Sequence, residues 1–183
     1  MTSGQHKLFF GIFPDRSTRS GIAAAAQDLR GHGLRGRWVN PRRYHLTVLF
    51  LGGFGAVPSG FVGRAAAAGA RVQAAPFELE LDTFGSFRNR DVPVWIGCRT
   101  VPPALEALHR QLMEELQQEE IPARDTKPLV PHVTLLRGTE PFAAMPAPTV
   151  HWSVRELHLI DSRLAPQAEY VSLGRWPLAN TAC

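Results

Sequence analysis

The chain has 183 residues, of which 44% are hydrophobic and 20% charged, and this composition suits one soluble globular domain over residues 1–183 and excludes a disordered chain. The polar segment at residues 1–8 does not resemble a signal peptide, and no window approaches the roughly 20 apolar residues of a membrane-spanning helix. The net charge of +4, with an isoelectric point near 9.7, suits a polyanionic partner.

The first part of the chain alternates short apolar runs with alanine-rich stretches. An apolar and aromatic run predicts a strand at residues 7–13, which ends at a Pro-Asp pair. Alanine-rich stretches predict helices at residues 17–29 and 58–73. Between them, residues 44–51 are β-branched, aromatic and aliphatic and stop at two glycines, which predicts a second strand.

The middle of the chain predicts two strands and a long helix. Residues 77–84 alternate apolar and polar side chains, as a half-buried strand does. Residues 92–98 predict a further strand, and Pro93 favours a position at a sheet edge. Residues 103–120 form the clearest helix, because they carry one apolar stripe. The stripe consists of Leu105, Leu108, Leu112, Met113 and Leu116.

The last part of the chain predicts a strand at residues 130–136, a proline-rich connector at 141–148, and two final strands at 154–160 and 170–173. The order of strands and helices has no strict β-α-β rhythm. We therefore expect an α+β fold of largely antiparallel sheets with flanking helices.

A block of arginines separates the first helix from the second strand. It consists of Arg30, Arg35, Arg37, Arg42 and Arg43, with no acidic residue among them. Such a block suits phosphate recognition, although a charge cluster alone is commonly a solvated loop. Because the block leads directly into the first catalytic candidate, we interpret Arg42 and Arg43 as contacts for a polyanion.

The two cysteines, Cys98 and Cys183, argue against a disulfide framework. Cys98 ends an apolar strand-like run, and Cys183 is the last residue. Neither lies in the sequence context of a catalytic nucleophile. We expect both to be free thiols in a reducing compartment, and the protein to be cytoplasmic.

The strongest motif is an internal repeat, HLTVL at residues 45–49 and HVTLL at residues 132–136. Each copy follows a helix and a loop, and each continues to a glycine. The repeat predicts two related lobes, each of which contributes one strand to a shared cleft.

The repeat brings together the groups that displacement at phosphorus requires. Residues i and i+2 of a strand share a face, so His45 projects with Thr47 and His132 with Thr134. One imidazole can take a proton from the attacking water while the other protonates the departing oxygen, and the hydroxyls can stabilise the non-bridging oxygens. Because the two motifs are nearly symmetric, they leave open which histidine is the acid.

Three further side chains are candidate substrate contacts. Arg137 lies just beyond the second motif, where a guanidinium can bind a phosphate with two hydrogen bonds. Trp38 and Phe50 can stack on a base, although core packing is the usual role of an aromatic side chain. The remaining histidines have no HExxH pattern or carboxylate cluster beside them, so we expect no metal site and no cofactor.

These motifs resemble those of the 2H phosphoesterases. The segments HLTVLFLG at 45–52 and PHVTLLRG at 131–138 are similar to the two signature segments of that group, and the chain most resembles its bacterial RNA 2′,3′-cyclic phosphodiesterases, formerly called 2′-5′ RNA ligases. The similarity covers almost the whole chain. It extends to LFFGI at 8–12, WV at 38–39, VWIG at 94–97 and YVSLGRWPL at 170–178.

The resemblance implies a bilobal fold with two pseudo-symmetric lobes around a central cleft. It implies that His45 is the proton donor to the leaving oxygen and His132 the proton acceptor, with Thr47, Thr134 and Arg137 on the phosphate. The implied reaction is the metal-independent hydrolysis of RNA 2′,3′-cyclic phosphate ends, such as those of tRNA fragments, to 2′-phosphates. Arg42, Arg43, Trp38 and Phe50 are then candidate RNA contacts.

Three other functions compete with this one. The same site can catalyse the reverse reaction, which joins RNA halves through a 2′-5′ linkage. A noncatalytic RNA-end-binding module is a second alternative, and the intact histidine pair argues against it. A 2H enzyme that acts on a small nucleotide, such as a cyclic ADP-ribose derivative, is the third, and the block of arginines favours RNA over it.

Overall fold

The computed structural model describes residues 6–88, 91–122, 128–163 and 169–179. Within these ranges the chain forms nine strands and three α-helices. In chain order they are β1 (His6–Ile12), α1 (Arg16–Gly31), β2 (Arg37–Trp38), β3 (Leu46–Phe54), α2 (Phe61–Arg71), β4 (Phe77–Ser86), β5 (Val94–Gly97), α3 (Pro103–Gln118), β6 (His132–Arg137), β7 (Met145–Val154), β8 (Glu156–Arg163) and β9 (Glu169–Pro177).

The three predicted helices are confirmed. α1 begins after Asp15, whose carboxylate accepts a hydrogen bond of 2.7 Å from the backbone N–H of Thr18 and so satisfies a donor that the helix leaves unpaired. The apolar stripe of α3 is buried as its spacing predicts. Its buried members are Leu105, Leu108, Leu112 and Leu116. No helix among the described residues is both long enough and apolar enough to cross a membrane.

The strands form one sheet in the order β7-β4-β5-β6-β3-β1-β8-β9, and β2 pairs with β6. Every strand pairing within the described residues is antiparallel. The two halves of the sheet meet where Leu46 of β3 pairs with Val133 of β6. The predicted α+β fold is confirmed, and the two expected lobes are the two halves of this sheet.

The halves repeat one arrangement of strands. In the first half β1 leads through α1 to β3, and in the second β5 leads through α3 to β6. Both returning strands pair with the strand that preceded the helix. Outside these pairs lie β8 and β9 on one side, and β4 and β7 on the other. The two histidine motifs therefore lie at the inner strands, where the halves meet.

Alternation along β1 shows how the sheet separates core from cleft. Leu8, Phe10 and Ile12 are almost completely buried in the hydrophobic core, whereas Lys7 and Phe9 line a cleft. Burial of each large core side chain stabilises the fold by about 1.5–3 kcal/mol. The core thus fixes which face of the strand points to the cleft.

The prediction that Pro93 marks a sheet edge is wrong. β5 is an interior strand between β4 and β6, and Pro93 precedes its first residue, Val94. The missing N–H of Pro93 therefore removes no hydrogen bond from the ladder. Its carbonyl instead accepts a hydrogen bond of 3.0 Å from the backbone N–H of Phe87.

The connector predicted at residues 141–148 is wrong from residue 145 onward, because Met145–Val154 forms β7. β7 is an edge strand that pairs with β4. An edge strand tolerates Pro146 and Pro148 because backbone N–H groups on its outer side have no partner strand. The strand predicted at 154–160 is also displaced, since β8 begins at Glu156.

Gly97 of β5 lies in close contact with the backbone at the start of the second motif. It pairs with His132, and a Cβ atom at Gly97 would lie 2.4 Å from the backbone oxygen of Pro131. We therefore expect Gly97→Ala to push β6 away and to lower the free energy of unfolding by about 1–3 kcal/mol. Urea unfolding measures this change. Gly53→Ala is the control, since its nearest contact would be 3.9 Å away; equal midpoints for the two variants would contradict the expectation.

Candidate active site

A cleft of about 590 Å³ lies over the junction of the two halves of the sheet. His45 and Thr47 line it from the first half, and His132 and Thr134 line it from the second. His45 directly precedes β3, rather than lying within it as predicted, and His132 is the first residue of β6. The repeated motifs therefore contribute two imidazoles and two hydroxyls to one cleft.

Most of the predicted substrate contacts also line this cleft. They are Trp38, Arg43, Phe50 and Arg137. Phe50 is 37% exposed, which is unusual for so large an apolar side chain in this protein. Trp38 is half-buried beneath the guanidinium of Arg30, whose carbon lies 4.5 Å from the ring centre. Arg42 is the exception, since it is exposed on the short 3₁₀ turn Pro41–Arg43 and does not line the cleft.

Each imidazole is held by a hydrogen bond to the backbone carbonyl two residues earlier. Nδ1 of His45 lies 2.9 Å from the carbonyl oxygen of Arg43, and Nδ1 of His132 lies 2.7 Å from that of Val130. A carbonyl oxygen can only accept, so Nδ1 carries the proton in both rings. Each neutral histidine therefore has an unprotonated Nε2, which is the nitrogen available to a substrate.

Burial keeps both imidazoles neutral in the free protein. It lowers the pKa of His45 from 6.5 to about 4, with smaller contributions from the positive charges of His132, Arg43 and Arg137. It also lowers the pKa of His132, and Arg137 acts in the same direction. A bound anion would act in the opposite direction and raise the pKa of each ring.

The two histidines differ in their aromatic surroundings. The hydroxyl oxygen of Tyr170 lies 3.2 Å from Nδ1 of His45, and the guanidinium carbon of Arg43 lies 4.5 Å from the centre of the Tyr170 ring. Phe9 packs against His45 with ring centres 4.9 Å apart. His132 instead contacts Phe87 and Trp95, so no phenol hydroxyl among the described residues reaches its Nδ1.

Two arginines and a carboxylate lie together beyond the second motif, where they line the cleft. Oδ1 of Asp91 lies 2.6 Å from Nη2 of Arg37, and Oδ2 lies 3.9 Å from Nη1 of Arg137. Arg37 and Arg137 are direct partners in the pairing of β2 with β6. These groups are largely exposed, so the ion pairs contribute little stability, and both guanidinium groups line the cleft beside the carboxylate.

Several cleft residues were not predicted from the sequence. They are Lys7, Phe9, Val39, Asn40, Asp91, Ser162 and Tyr170. Arg37 also lines the cleft and belongs to the block of arginines described above. Tyr170 belongs to a segment that resembles the 2H phosphoesterases, but no local pattern assigns it to the site. It reaches the cleft because β9 pairs with β8 across Ser162, a long-range register that one strand's sequence does not encode.

A family model described as the 2′-5′ RNA ligase superfamily matches residues 18–165. The chain belongs to this family. It is 32% identical over 148 residues to an RNA 2′,3′-cyclic phosphodiesterase of Escherichia coli K12, a match that covers 79% of this chain and 81% of that protein.

A second relative and a solved structure agree with this assignment. The chain is 32% identical over 153 residues to an RNA 2′,3′-cyclic phosphodiesterase of Geobacillus stearothermophilus, over 77% of this chain and 47% of the relative, so it spans about half the length of that protein. The crystal structure of E. coli LigT in apo form matches with a TM-score of 0.80 and 28% identity, over 97% of this chain and 100% of LigT.

The described residues contain no group of three or more histidines, cysteines, aspartates or glutamates that could hold a metal ion. The polar groups that converge in the cleft are instead imidazoles, hydroxyls and guanidinium groups, together with the carboxylate of Asp91. This set suits an anionic ligand, since cationic and hydroxyl donors bind oxyanions.

The protonation of the two imidazoles can be measured directly. In an NMR titration of the free protein, we expect His45 to titrate with a midpoint of about 4 and His132 below 6.5, both with the neutral proton on Nδ1. Because an anion stabilises the imidazolium form, added inorganic phosphate should raise both midpoints. His45→Ala and His132→Ala assign the two signals. A midpoint above 6.5 for either ring without added anion would contradict the expectation.

Proposed function

We propose that the protein is an RNA 2′,3′-cyclic phosphodiesterase, which opens the cyclic phosphate at an RNA end and leaves a 2′-phosphate. The observation that carries the proposal is the pair of imidazoles, each fixed through Nδ1 by a backbone carbonyl and each lining one cationic cleft. The curated relatives named above carry this activity in their names, and E. coli LigT has been solved with 3′-AMP, which supports a nucleotide ligand.

In the proposed mechanism, Nε2 of His132 takes a proton from a water molecule as its oxygen attacks phosphorus. The bond between phosphorus and O3′ breaks, and the Nε2–H of protonated His45 transfers its proton to O3′. The product carries a 2′-phosphate and a free 3′-hydroxyl. His45 ends neutral and His132 protonated, so exchange of one proton with solvent restores the starting state.

The assignment of His45 as the acid is supported by its surroundings. Nδ1–H of His45 has two oxygen neighbours, the Arg43 carbonyl and the Tyr170 hydroxyl, whereas Nδ1–H of His132 has the Val130 carbonyl. The two rings therefore differ in their Nδ1 contacts, as the acid and the base of one reaction must differ. Burial lowers the pKa of His45 to about 4, which makes its protonated form a strong donor to an alkoxide leaving group.

The remaining groups have electrostatic roles in this proposal. The hydroxyls of Thr47 and Thr134 and the guanidinium of Arg137 bind the non-bridging phosphate oxygens, where negative charge accumulates. Arg43 sits over Tyr170 and lines the cleft, so it acts near the acid. Trp38 and the exposed Phe50 offer ring faces to a base, and Arg42 is left to contacts with RNA outside the cleft.

RNA is the proposed substrate, fragments of tRNA among its sources, because the cleft is cationic. Lys7, Arg37, Arg43 and Arg137 line it, and Asp91 supplies the one carboxylate among the described lining residues. A cleft with this charge concentrates a polyanion. A cytoplasmic location is part of the proposal and is supported by Cys98, a half-buried free thiol; Cys183 lies outside the described residues.

Removal of either imidazole tests the proposed pair. His45→Ala and His132→Ala should each reduce turnover of a cyclic-phosphate RNA oligonucleotide by roughly 10²–10⁴-fold, measured in the presence of EDTA. His151→Ala is the matched control, since its side chain is 72% exposed and lies outside the cleft. Near-normal turnover by a folded His45→Ala or His132→Ala variant would exclude the mechanism. Binding of RNA ends by the wild type without turnover would support the noncatalytic alternative.

The identity of the product tests the assignment of acid and base. If His45 protonates O3′, the oligonucleotide end should carry a 2′-phosphate. Phosphorus NMR against 2′- and 3′-phosphate standards distinguishes the two products. A 3′-phosphate would leave the histidine pair in place but would reverse the orientation of the ribose between His45 and His132.

A further inference from the structure

A row of three polar side chains crosses the first half of the sheet beyond the catalytic pair. Ser162 of β8 pairs with Lys7 of β1 on one side and with Tyr170 of β9 on the other. All three residues line the cleft. Neighbouring strands are about 4.8 Å apart, so the three side chains are adjacent on one surface.

Two members of this row can donate hydrogen bonds to a ligand in the cleft. Ser162 has 7% of its surface exposed, and it lines the cleft. Lys7 is exposed and also lines the cleft, and it forms no ion pair with the described residues. The pair therefore offers an ammonium and a hydroxyl donor to a group within the cleft.

Nearby charges are already paired, which distinguishes Lys7 from them. Arg163 binds the carboxylates of Asp161 and Glu169. Asp161 also accepts from His6 and is buried beside Leu8, on the core side of the sheet. Lys7 is thus the cation at this end of the cleft with no carboxylate neutralising it among the described residues.

Lys7 lies along β1 from the catalytic pair, with an aromatic surface between them. Phe9 lies two residues along β1 from Lys7, a step of about 7 Å, and its ring centre is 4.9 Å from that of His45. Phe9 pairs with the exposed Phe50 on β3. Along the strands the cleft therefore presents the histidine pair, then an aromatic surface, then Lys7 with Ser162. A nucleotide has the same order of reacting phosphate, ribose with base, and 5′-phosphate.

We propose that Lys7 and Ser162 form a second phosphate subsite, which binds the 5′-phosphate group of the nucleotide whose cyclic phosphate lies between His45 and His132. The inference rests on the proposed function for the position of the cyclic phosphate. It names the recognised unit as a nucleotide phosphorylated at both ends of its ribose. The 5′ group is either a phosphomonoester or the diester link to the preceding nucleotide, since both present non-bridging oxygens to an ammonium and a hydroxyl.

Binding of product-like nucleotides tests the subsite without turnover. In calorimetric titrations the wild type should bind adenosine 2′,5′-bisphosphate about tenfold more tightly than adenosine 2′-monophosphate, as a charge-assisted contact predicts. The advantage should shrink as salt rises. In Lys7→Gln the ratio of the two affinities should fall close to one, and in Ser162→Ala it should fall several-fold. Thermal unfolding checks that each variant is folded.

Arg110→Gln is the matched control, because it also removes one positive charge. Arg110 is 71% exposed on α3 and lies outside the cleft, so its loss should leave the affinity ratio unchanged. If the affinity ratio fell equally in Arg110→Gln, the effect of Lys7→Gln would be explained by the loss of net charge, and the subsite would be overturned. Equal affinities of the wild type for the two adenosine ligands, or an unchanged ratio in Lys7→Gln, would also overturn it.

Turnover measurements identify the source of the 5′ group and separate the two proposals. Adenosine 2′,3′-cyclic phosphate is compared with its 5′-phosphorylated form and with a dinucleotide that ends in the same cyclic phosphate. A higher kcat/KM for the 5′-phosphorylated form alone assigns a phosphomonoester, and a higher value for both assigns the backbone. Turnover without any 5′ preference would overturn the subsite and leave the proposed function standing. Tighter binding of the 5′-phosphorylated ligand that depends on Lys7, with no turnover of any substrate, would support the subsite and overturn the proposed function.

Discussion

The pairing of Leu46 with Val133 joins β3 to β6 and brings the two histidine motifs to one cleft. A hydrogen bond between two strands contributes only about 1 kcal/mol, so the core behind the strands must hold this junction. Leu46, Val133 and Leu135 are fully buried there. Side chains alternate along a strand, so a slip of one residue would turn a histidine and its threonine into the core. Core packing thereby positions the proposed catalytic groups.

The electrostatics of the cleft couple binding to protonation. Burial and the charges of Arg43 and Arg137 keep the imidazole of His45 neutral in the free protein, although the proposed reaction needs it protonated. A phosphate in the cleft supplies the negative charge that stabilises the imidazolium. The same arginines therefore attract the phosphate and disfavour protonation of His45 until the phosphate binds. Asp91 does not reverse this field, because its carboxylate is shared between Arg37 and Arg137.

Local patterns were sufficient to predict the helices, most strands and the four motif side chains that line one cleft. The leucine stripe of α3 and the repeated H-x-T motif report on single elements, whose period is visible in sequence. The predictions from prolines at Pro93 and at residues 141–148 were wrong. Whether a strand accommodates proline depends on whether that strand lies at the edge of the sheet. Ser162 and Tyr170 were missed because they enter the cleft through the register of β8 with β9. Such a register depends on contacts between distant segments.

A repeated motif produces two equivalent histidines, but an acid and a base must differ. The backbone does not distinguish them, since the carbonyl two residues earlier fixes Nδ1 in both. The difference comes from the strands whose aromatic side chains surround each histidine. β9 places the Tyr170 hydroxyl against His45, whereas Trp95 of β5 packs near His132. The same β9 residue borders Ser162, and Ser162 borders Lys7. The first half thus carries both the features that distinguish its histidine and the donors of the proposed second phosphate subsite. A substrate held by both must enter in one orientation, which fixes the oxygen that faces His45.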